Sequence, residues 1–257
     1  PLVTLYGLGV TIGAGIYVLV GATAAVAGFY APASFLLAAI VTAFTGLSYA
    51  ELSTRMPVSA GEAAYVRAGF NSSTLALIVG LLVATSGVVS AAAISIGAAG
   101  YLQHFLPVSP TLLTFLVIAI MGLVAFWGIM ESVFLAAIFT VLEILGLGLV
   151  IYTGFASNPD LVSDLPKFVP PMDLGPWTAV FAASLLAFFA FIGFEDIANV
   201  AEEVKNPRRT MPWAIFLTLT IATIIYVAVV SVIVLSVPIE TLATSNAPLG
   251  LIFDQSS

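Results

Sequence analysis

Cysteine is absent from this chain, and histidine occurs once, at His104. The first absence excludes disulfides and thiolate chemistry and leaves the compartment open. Charge is scarce as well. Asp, Glu, Lys and Arg make up 7% of 257 residues, where a soluble domain carries about 25%. Basic residues are the rarest of these, 6 Lys+Arg against 13 Asp+Glu, for a net charge of -7. That acidic balance excludes nucleic acid as a partner. There is no ten-residue alternation of apolar and polar residues that would mark a membrane β-barrel, and the first apolar segment is too long for a cleavable signal peptide. No Gly-x-Ser-x-Gly elbow occurs, and with no cysteine and one peripheral histidine a hydrolase is a weaker reading than a transporter; no enzyme activity, cofactor or metal is expected. No ring of like charges or filter repeat supports a channel.

What remains is apolar. Hydrophobic residues make up 61% of the chain and the mean hydropathy is +1.18. These values describe an all-α polytopic membrane protein with little room for a soluble domain. Segments of about 20 apolar residues cross a bilayer, and about seven are legible. The first runs from Leu2 to Phe29, turning at Tyr30-Ala31-Pro32. The second runs from Ala33 to Met56, ending at Arg55 and Pro57, and a short polar loop from Val58 to Phe70 follows. The third covers Ser73 to Phe105 and the fourth Thr111 to Ile129, with Met130-Glu131-Ser132 as a tight connection. The fifth covers Val133 to Phe155. A loop rich in Pro and Asp spans Ala156 to Pro176. The sixth covers Trp177 to Ala201 and the seventh Trp213 to Val237, joined by Glu202 to Pro212. Pro238 to Ser257 reads as a polar tail. The chain opens on Pro1 and stops in Asp254-Gln255-Ser256-Ser257, as a piece of a longer protein would.

Orientation follows from the basic residues, which favour the cytoplasmic side. With connections numbered alternately, Arg55, Arg67, Lys205, Arg208 and Arg209 fall on one side and Lys167 on the other. The N-terminus is then cytoplasmic and the loop Ala156 to Pro176 outside, in a plasma (inner) membrane. Trp177 and Trp213 read as interface anchors, His104 as an interfacial residue, and Glu51 as an i,i+4 partner of Arg55.

Three places cost energy inside lipid. The first is Gly9-Val10-Thr11-Ile12-Gly13-Ala14-Gly15-Ile16-Tyr17, with three glycines in mid-span. Each glycine weakens a helix by up to about 1 kcal/mol relative to alanine. A break at this depth survives only where protein or a water-filled cavity covers it, and it then offers free backbone groups to a polar substrate or ion. The other reading is that small residues let two helices pack closely. The second place is Phe188-Phe189-Ala190-Phe191-Ile192-Gly193-Phe194-Glu195-Asp196. Aromatics beside a glycine can close over a small ligand, or Phe188, Phe191 and Phe194 can form a packed face. Adjacent helical side chains diverge by about 100°, so Glu195 and Asp196 do not form a catalytic pair; one is expected at a cavity or helix terminus and the other on a polar partner. The third is Glu143, at the centre of the fifth span with no basic residue in any span to neutralise it. A protonated carboxyl, a bound cation or hydrogen-bond donors are each physically allowed, and a proton or ion carrier is one outcome.

With both interrupted spans in view, the sequence resembles the amino acid permeases of the amino acid–polyamine–organocation superfamily. The residues that carry the resemblance are Thr11-Ile12-Gly13-Ala14-Gly15-Ile16; Tyr49-Ala50-Glu51-Leu52 with Met56-Pro57, Ala60-Gly61 and Tyr65; and Phe191-Ile192-Gly193-Phe194-Glu195-Asp196 followed by Glu202-Glu203-Val204-Lys205-Asn206-Pro207-Arg208-Arg209. The last block is the most specific. The resemblance implies two inverted five-helix repeats, as in the neurotransmitter symporters, with substrate held where the first helix of each repeat unwinds. Residues 1–155 would be the first repeat, 156–176 an extracellular loop, and 177–257 the start of a truncated second repeat with two helices and a polar tail. It implies Ile12, Gly13, Ala14, Gly15 and Ile16, with Ala190, Phe191, Gly193, Phe194 and Glu195, as the substrate-binding residues. The substrate carboxylate would meet free N–H groups at the first break and its amine the carbonyls of the second. Some prokaryotic relatives carry a lysine near the middle of the fifth helix in place of a coupling ion; Glu143 falls there, and a carboxylate cannot imitate a bound cation. A protonatable Glu143 or a cation site would replace it. The loop after Pro57 also departs from the family's usual Gly-Gly.

The leading expectation is a secondary transporter that moves amino acids by alternating access, proton- or sodium-coupled or exchanging, with the lipid bilayer as its surroundings. The alternative is a non-transporting membrane subunit that binds an amino acid. With only two helices of the second repeat, this stretch is not expected to transport alone.

Overall fold

The computed structural model describes residues 2–59, 61–103, 105–127, 129–158 and 161–255. His104 and Ala60 lie outside the described residues, as does the side chain of Ala14. Among the described residues the chain is helical throughout: α1 (Leu2–Ala27), α2 (Ala31–Arg55), α3 (Gly61–Phe70), α4 (Ser73–Leu102), α5 (Pro110–Trp127), α6 (Ile129–Ser157), α7 (Leu161–Asp164), α8 (Leu174–Phe189), α9 (Pro207–Ser236), α10 (Ile239–Thr244) and α11 (Leu251–Gln255). Short 3₁₀ segments join several of them, and one of these, Phe194–Glu203, prolongs α8.

Five stretches are long and apolar enough to cross a membrane: Gly15–Arg55, Ser73–Leu102, Leu135–Ser157, Leu174–Glu203 and Pro207–Ser236. The first of these contains two passages. It turns at Gly28, whose φ of 57° is a left-handed value that suits glycine. With the shorter apolar helices Leu2–Gly13 and Pro110–Phe126, the expected spans are all helical and in their expected order.

Local chemistry moves several boundaries. The polar loop after Pro57 is largely the helix α3. Met130-Glu131-Ser132 is not a connection but the first turn of α6. α8 starts at Leu174 rather than Trp177, with Pro176 in its first turn. α9 starts at Pro207 rather than Trp213, because proline's fixed φ suits the first helical position. Pro212 therefore lies inside α9. The polar tail is corrected too: α10, α11 and the 3₁₀ turn Pro248–Gly250 between them bury Leu242, Ile252 and Leu249 respectively, since apolar residues recur there often enough to pack against α1 and α6.

Side-chain contacts fix the directions. Tyr226 of α9 reaches Thr11 of α1, Thr218 reaches Thr4, and so α1 and α9 run parallel. Gly46 of α2 abuts Leu219 and Ile215 while Phe35 meets Tyr226, so α2 runs against α9. Gly15 of α1 meets Ala190, Val10 meets Gly193, and Gly7 meets Ile197; α8 and its continuation therefore run antiparallel to α1. These four helices form the core, filled by Ile12, Ile16, Val20, Phe35, Phe191 and Tyr226 among others. α4 and α5 lie outside it, apolar on nearly every face. Phe126 is 91% exposed and Leu123 70%, the surface of a helix that lipid or further protein would cover.

Five basic residues collect at one end of this bundle. α2 ends at Arg55. α3 with Arg67 is tied to α2 by the Tyr49 hydroxyl, which donates to Glu62 Oε1 at 2.7 Å. The Ser59 amide donates to Glu202 Oε1 at 2.9 Å, which brings Lys205, Arg208 and Arg209 to the same end. Lys167 lies at the opposite end, paired with Asp164 at 2.7 Å.

Candidate functional site

α1 loses its helical geometry at Gly13, where φ is -26° and ψ is -163°; an α-helix needs ψ of about -42°. α8 fails in a different way. After Phe189 the amides of Ala190, Phe191 and Ile192 donate to the carbonyls of Ala187, Phe188 and Phe189 at 3.0, 3.0 and 3.2 Å, a tightening to three-residue spacing. Gly193 then adopts φ of 122°, open in practice only to glycine. Its amide donates to Glu195 Oε2 at 2.8 Å, and the Asp196 amide picks up the Gly193 carbonyl at 3.0 Å.

The two breaks touch. A Cβ on Gly15 would lie 2.7 Å from Ala190 Cα, and one on Gly193 would lie 2.5 Å from the Val10 carbonyl oxygen. Neither position has room for a side chain. Gly13 is the opposite case, with nothing within 4 Å of where its Cβ would be. Close packing and an open break are thus both present, divided among different glycines.

Tyr226 joins the breaks. Its hydroxyl is 2.6 Å from the Thr11 carbonyl oxygen and 2.8 Å from that of Ala190. The residue is wholly buried, its ring edge-on to Phe191 at 5.0 Å and Phe35 at 5.9 Å. A phenol has one proton, so it can fully satisfy only one of the two carbonyls at a time. Beside them the Thr11 hydroxyl is buried with no hydrogen-bond partner among the described residues. The sequence carries one signal for Tyr226, a polar hydroxyl in the apolar run Ile224-Ile225-Tyr226-Val227, and only its fold partners give that signal meaning.

The expected site residues separate in space. Ile12, Gly13, Gly15, Ile16, Ala190, Phe191 and Gly193 meet at the breaks, where Ile12, Ile16 and Phe191 are buried wall rather than open lining. Phe194 lies further toward the basic end, packed on Tyr49 with ring centroids 5.5 Å apart, so it shares no face with Phe188 and Phe191. Glu195 caps its own break through Gly193, and Asp196 accepts from Asn199 Nδ2 at 3.0 Å.

Glu143 stands apart from both acids. It lines a cavity of about 230 Å³ with Tyr17, Val18, Gly97, Ala98 and Tyr101, between α1, α4 and α6. A larger hollow of about 680 Å³ lies between α2 and α9, lined by Ala43, Gly46, Trp213 and Phe216. Its lining is almost entirely apolar, with Trp213, Thr220 and Thr223 as its polar side chains and no charged one, which suits hydrocarbon better than a zwitterion.

Two antiparallel helices that break where they cross, inside an all-α apolar bundle, are the feature this fold is built around. The chain belongs to the amino acid permease family, whose sequence profile matches residues 2–257, and its fold is the all-α inverted-repeat fold of that superfamily. It is 31% identical to the branched-chain amino acid permease BcaP of Bacillus subtilis over 98% of this chain and 57% of the relative. It is 33% identical to the vacuolar cationic amino acid transporter 2 of Arabidopsis thaliana over 93% of this chain and 40% of the relative. It is 29% identical to the methylthioribose transporter of Bacillus subtilis over 88% and 52% respectively. The chain spans about half the length of the relatives it matches. These relatives are permeases and transporters, not enzymes.

Proposed function

We propose that the chain forms seven spans of a secondary transporter for amino acids that works by alternating access, a helical bundle moving about a site near the midplane. The observation that carries this reading is the pair of touching breaks bridged by Tyr226. The half of α1 beyond Gly13 begins at the break, and a helix N-terminus attracts a carboxylate. Gly13, Ala14 and Gly15 would supply the amides, with Ile12 and Ile16 as walls. α8 ends at the other break, where the carbonyls around Ala190 and Phe191 would receive the ammonium; Gly193, Phe194 and Glu195 would close the side toward the basic end. Transport would be proton- or sodium-coupled or exchanging, with Glu143 as the coupling residue.

In this reading residues 1–155 are the first repeat, 156–176 an outer loop, and 177–257 the start of the second, inverted repeat. The antiparallel directions of α1 and α8 support the inversion. The basic end faces the cytoplasm, with the N-terminus, and the protein resides in the plasma (inner) membrane; the five-to-one placement of basic residues supports that orientation.

The test is uptake of labelled amino acids by proteoliposomes holding the full-length protein, with a panel of branched-chain and cationic amino acids and methylthioribose. Saturable accumulation of an amino acid is the expected result. Binding without movement would favour an amino-acid-binding subunit, and transport of methylthioribose alone would overturn the substrate class.

A further inference from the structure

The hollow of about 680 Å³ between α2 and α9 takes no part in the breaks. Along α2 it extends from Ala39 to Ala50, and along α9 from Pro212 to Ile224. At 1.5 Å per residue these stretches are about 17 and 18 Å long. One leaflet of a bilayer's hydrocarbon is about 15 Å deep, half of a core about 30 Å thick. The hollow is therefore a groove one leaflet long. Its α2 side is built of small residues, Ala39, Ala43, Gly46 and Ala50. Opposite them Phe216 and Ile224 are exposed, so the groove is open on its outer side.

Ala50 and Pro212 mark the end of the groove that lies toward the basic end of the bundle. Two arginines stand just beyond it. Residues three and four apart share a helix face, and Arg209 heads the row Trp213, Phe216 and Thr220, while Arg208 heads the row Pro212, Ile215 and Leu219. All six of those residues line the groove. Both arginines are exposed, and among the described residues neither enters an ion pair. The acids at this end are partly committed. Glu51, the acid of α2, is held by Arg55 at 2.6 Å, and Glu62 and Glu202 accept from the Tyr49 hydroxyl and the Ser59 amide. Trp213 fixes the depth. It is 58% exposed, and an exposed indole at the end of a span belongs at the headgroup level. Arg209 is one turn, about 6 Å, further out, at the level of lipid phosphate. A guanidinium fork binds phosphate oxygens two at a time.

We propose that this groove is a binding site for an anionic phospholipid, with an acyl chain lying between α2 and α9 and the phosphate held by Arg208 and Arg209. The apolar groove alone would take any lipid; the two arginines at its mouth select negative charge. The site is separate from the breaks and does not depend on the transport reading.

The experiment uses the full-length protein in phosphatidylcholine vesicles holding a minor fraction of phosphatidylglycerol. Bromine is placed on the acyl chains of the phosphatidylglycerol or of an equal amount of phosphatidylcholine, and it quenches an indole that it touches. The difference from Trp213→Phe isolates the Trp213 signal. Brominated phosphatidylglycerol should quench Trp213 several-fold more than brominated phosphatidylcholine. Arg208→Gln with Arg209→Gln should remove that preference. Ala43→Phe, a larger side chain at an exposed position of the groove, should remove it with both arginines in place. Unfolding midpoints report whether the variants are folded. Mass spectrometry of the lipid that stays with the wild-type protein through purification decides without any substitution: enrichment of phosphatidylglycerol over the vesicle composition is expected, and its absence overturns the proposal. Equal quenching by the two lipids overturns it as well. A preference that survives Ala43→Phe also overturns it, because anionic lipid would then gather at the basic end without entering the groove. Quenching by neither lipid overturns it and gives the groove to another part of the full-length chain.

Discussion

Tyr226→Phe removes a single oxygen and leaves the ring where it is, against Phe191 and Phe35. Packing is therefore nearly untouched, and what is lost is the one donor shared by the Thr11 and Ala190 carbonyls. Both carbonyls lie at helix breaks in the buried core, where water does not substitute. Leaving a buried polar group unsatisfied costs about 1–3 kcal/mol. Only one proton is removed, so the cost is counted once and not twice. If it falls on the arrangement that holds both breaks together for substrate, affinity should drop by about 5- to 150-fold. The assay is equilibrium binding of a labelled amino acid to the purified full-length protein, with the unfolding midpoint measured alongside. A dissociation constant within a factor of about two of wild type, where the fold is intact, would refute the reasoning. It would mean that the backbone at the breaks finds other partners when the hydroxyl is gone. A loss of stability with unchanged affinity would assign Tyr226 to the fold alone.

Three further outcomes are expected. Gly193→Ala places a Cβ 2.5 Å from the Val10 carbonyl oxygen at a φ of 122°; it should destabilise the protein by about 1–3 kcal/mol, and an unchanged unfolding midpoint in detergent would contradict this. Gly13→Leu fills the space that is open beside the first break, so substrate binding should be abolished with the protein still inserted; normal affinity would put the site elsewhere. Lys205→Cys in a cysteine-free background should react in intact cells with membrane-permeant maleimide and resist an impermeant one, and labelling by the latter would reverse the orientation.

The spans and both breaks were legible because the signals are local and one-dimensional. A run of apolar residues needs no partner to announce its length, and glycines in mid-span contradict their own helix wherever the rest of the chain lies. Boundaries were less legible, because they turn on single residues whose effect depends on position. Pro212 reads as a helix breaker, yet α9 passes through it from Pro207. The α3 helix stayed hidden because ten residues with Glu62 and Arg67 have the composition of a loop, and what holds it is tertiary: the Tyr49 hydroxyl bond to Glu62 and the buried Tyr65 ring against Tyr49.

The division of labour among the glycines was invisible for a deeper reason. Gly13, Gly15 and Gly193 are the same residue, and what separates them is the neighbour each one faces: open space, the Ala190 backbone and the Val10 carbonyl. None of those neighbours is close in sequence. Tyr226 is 215 residues from Thr11 and 36 from Ala190, so its importance exists only once α9 is folded between the breaks. The structural consequence is that neither break is self-sufficient. Each places a carbonyl within hydrogen-bond reach of one phenol from a third helix, which serves both. A change that frees one carbonyl therefore alters the hydrogen bonding of the other, which couples the two halves of the site through a single proton. That coupling ties the two breaks to each other through α9, in addition to the backbone contacts at Gly15 and Gly193.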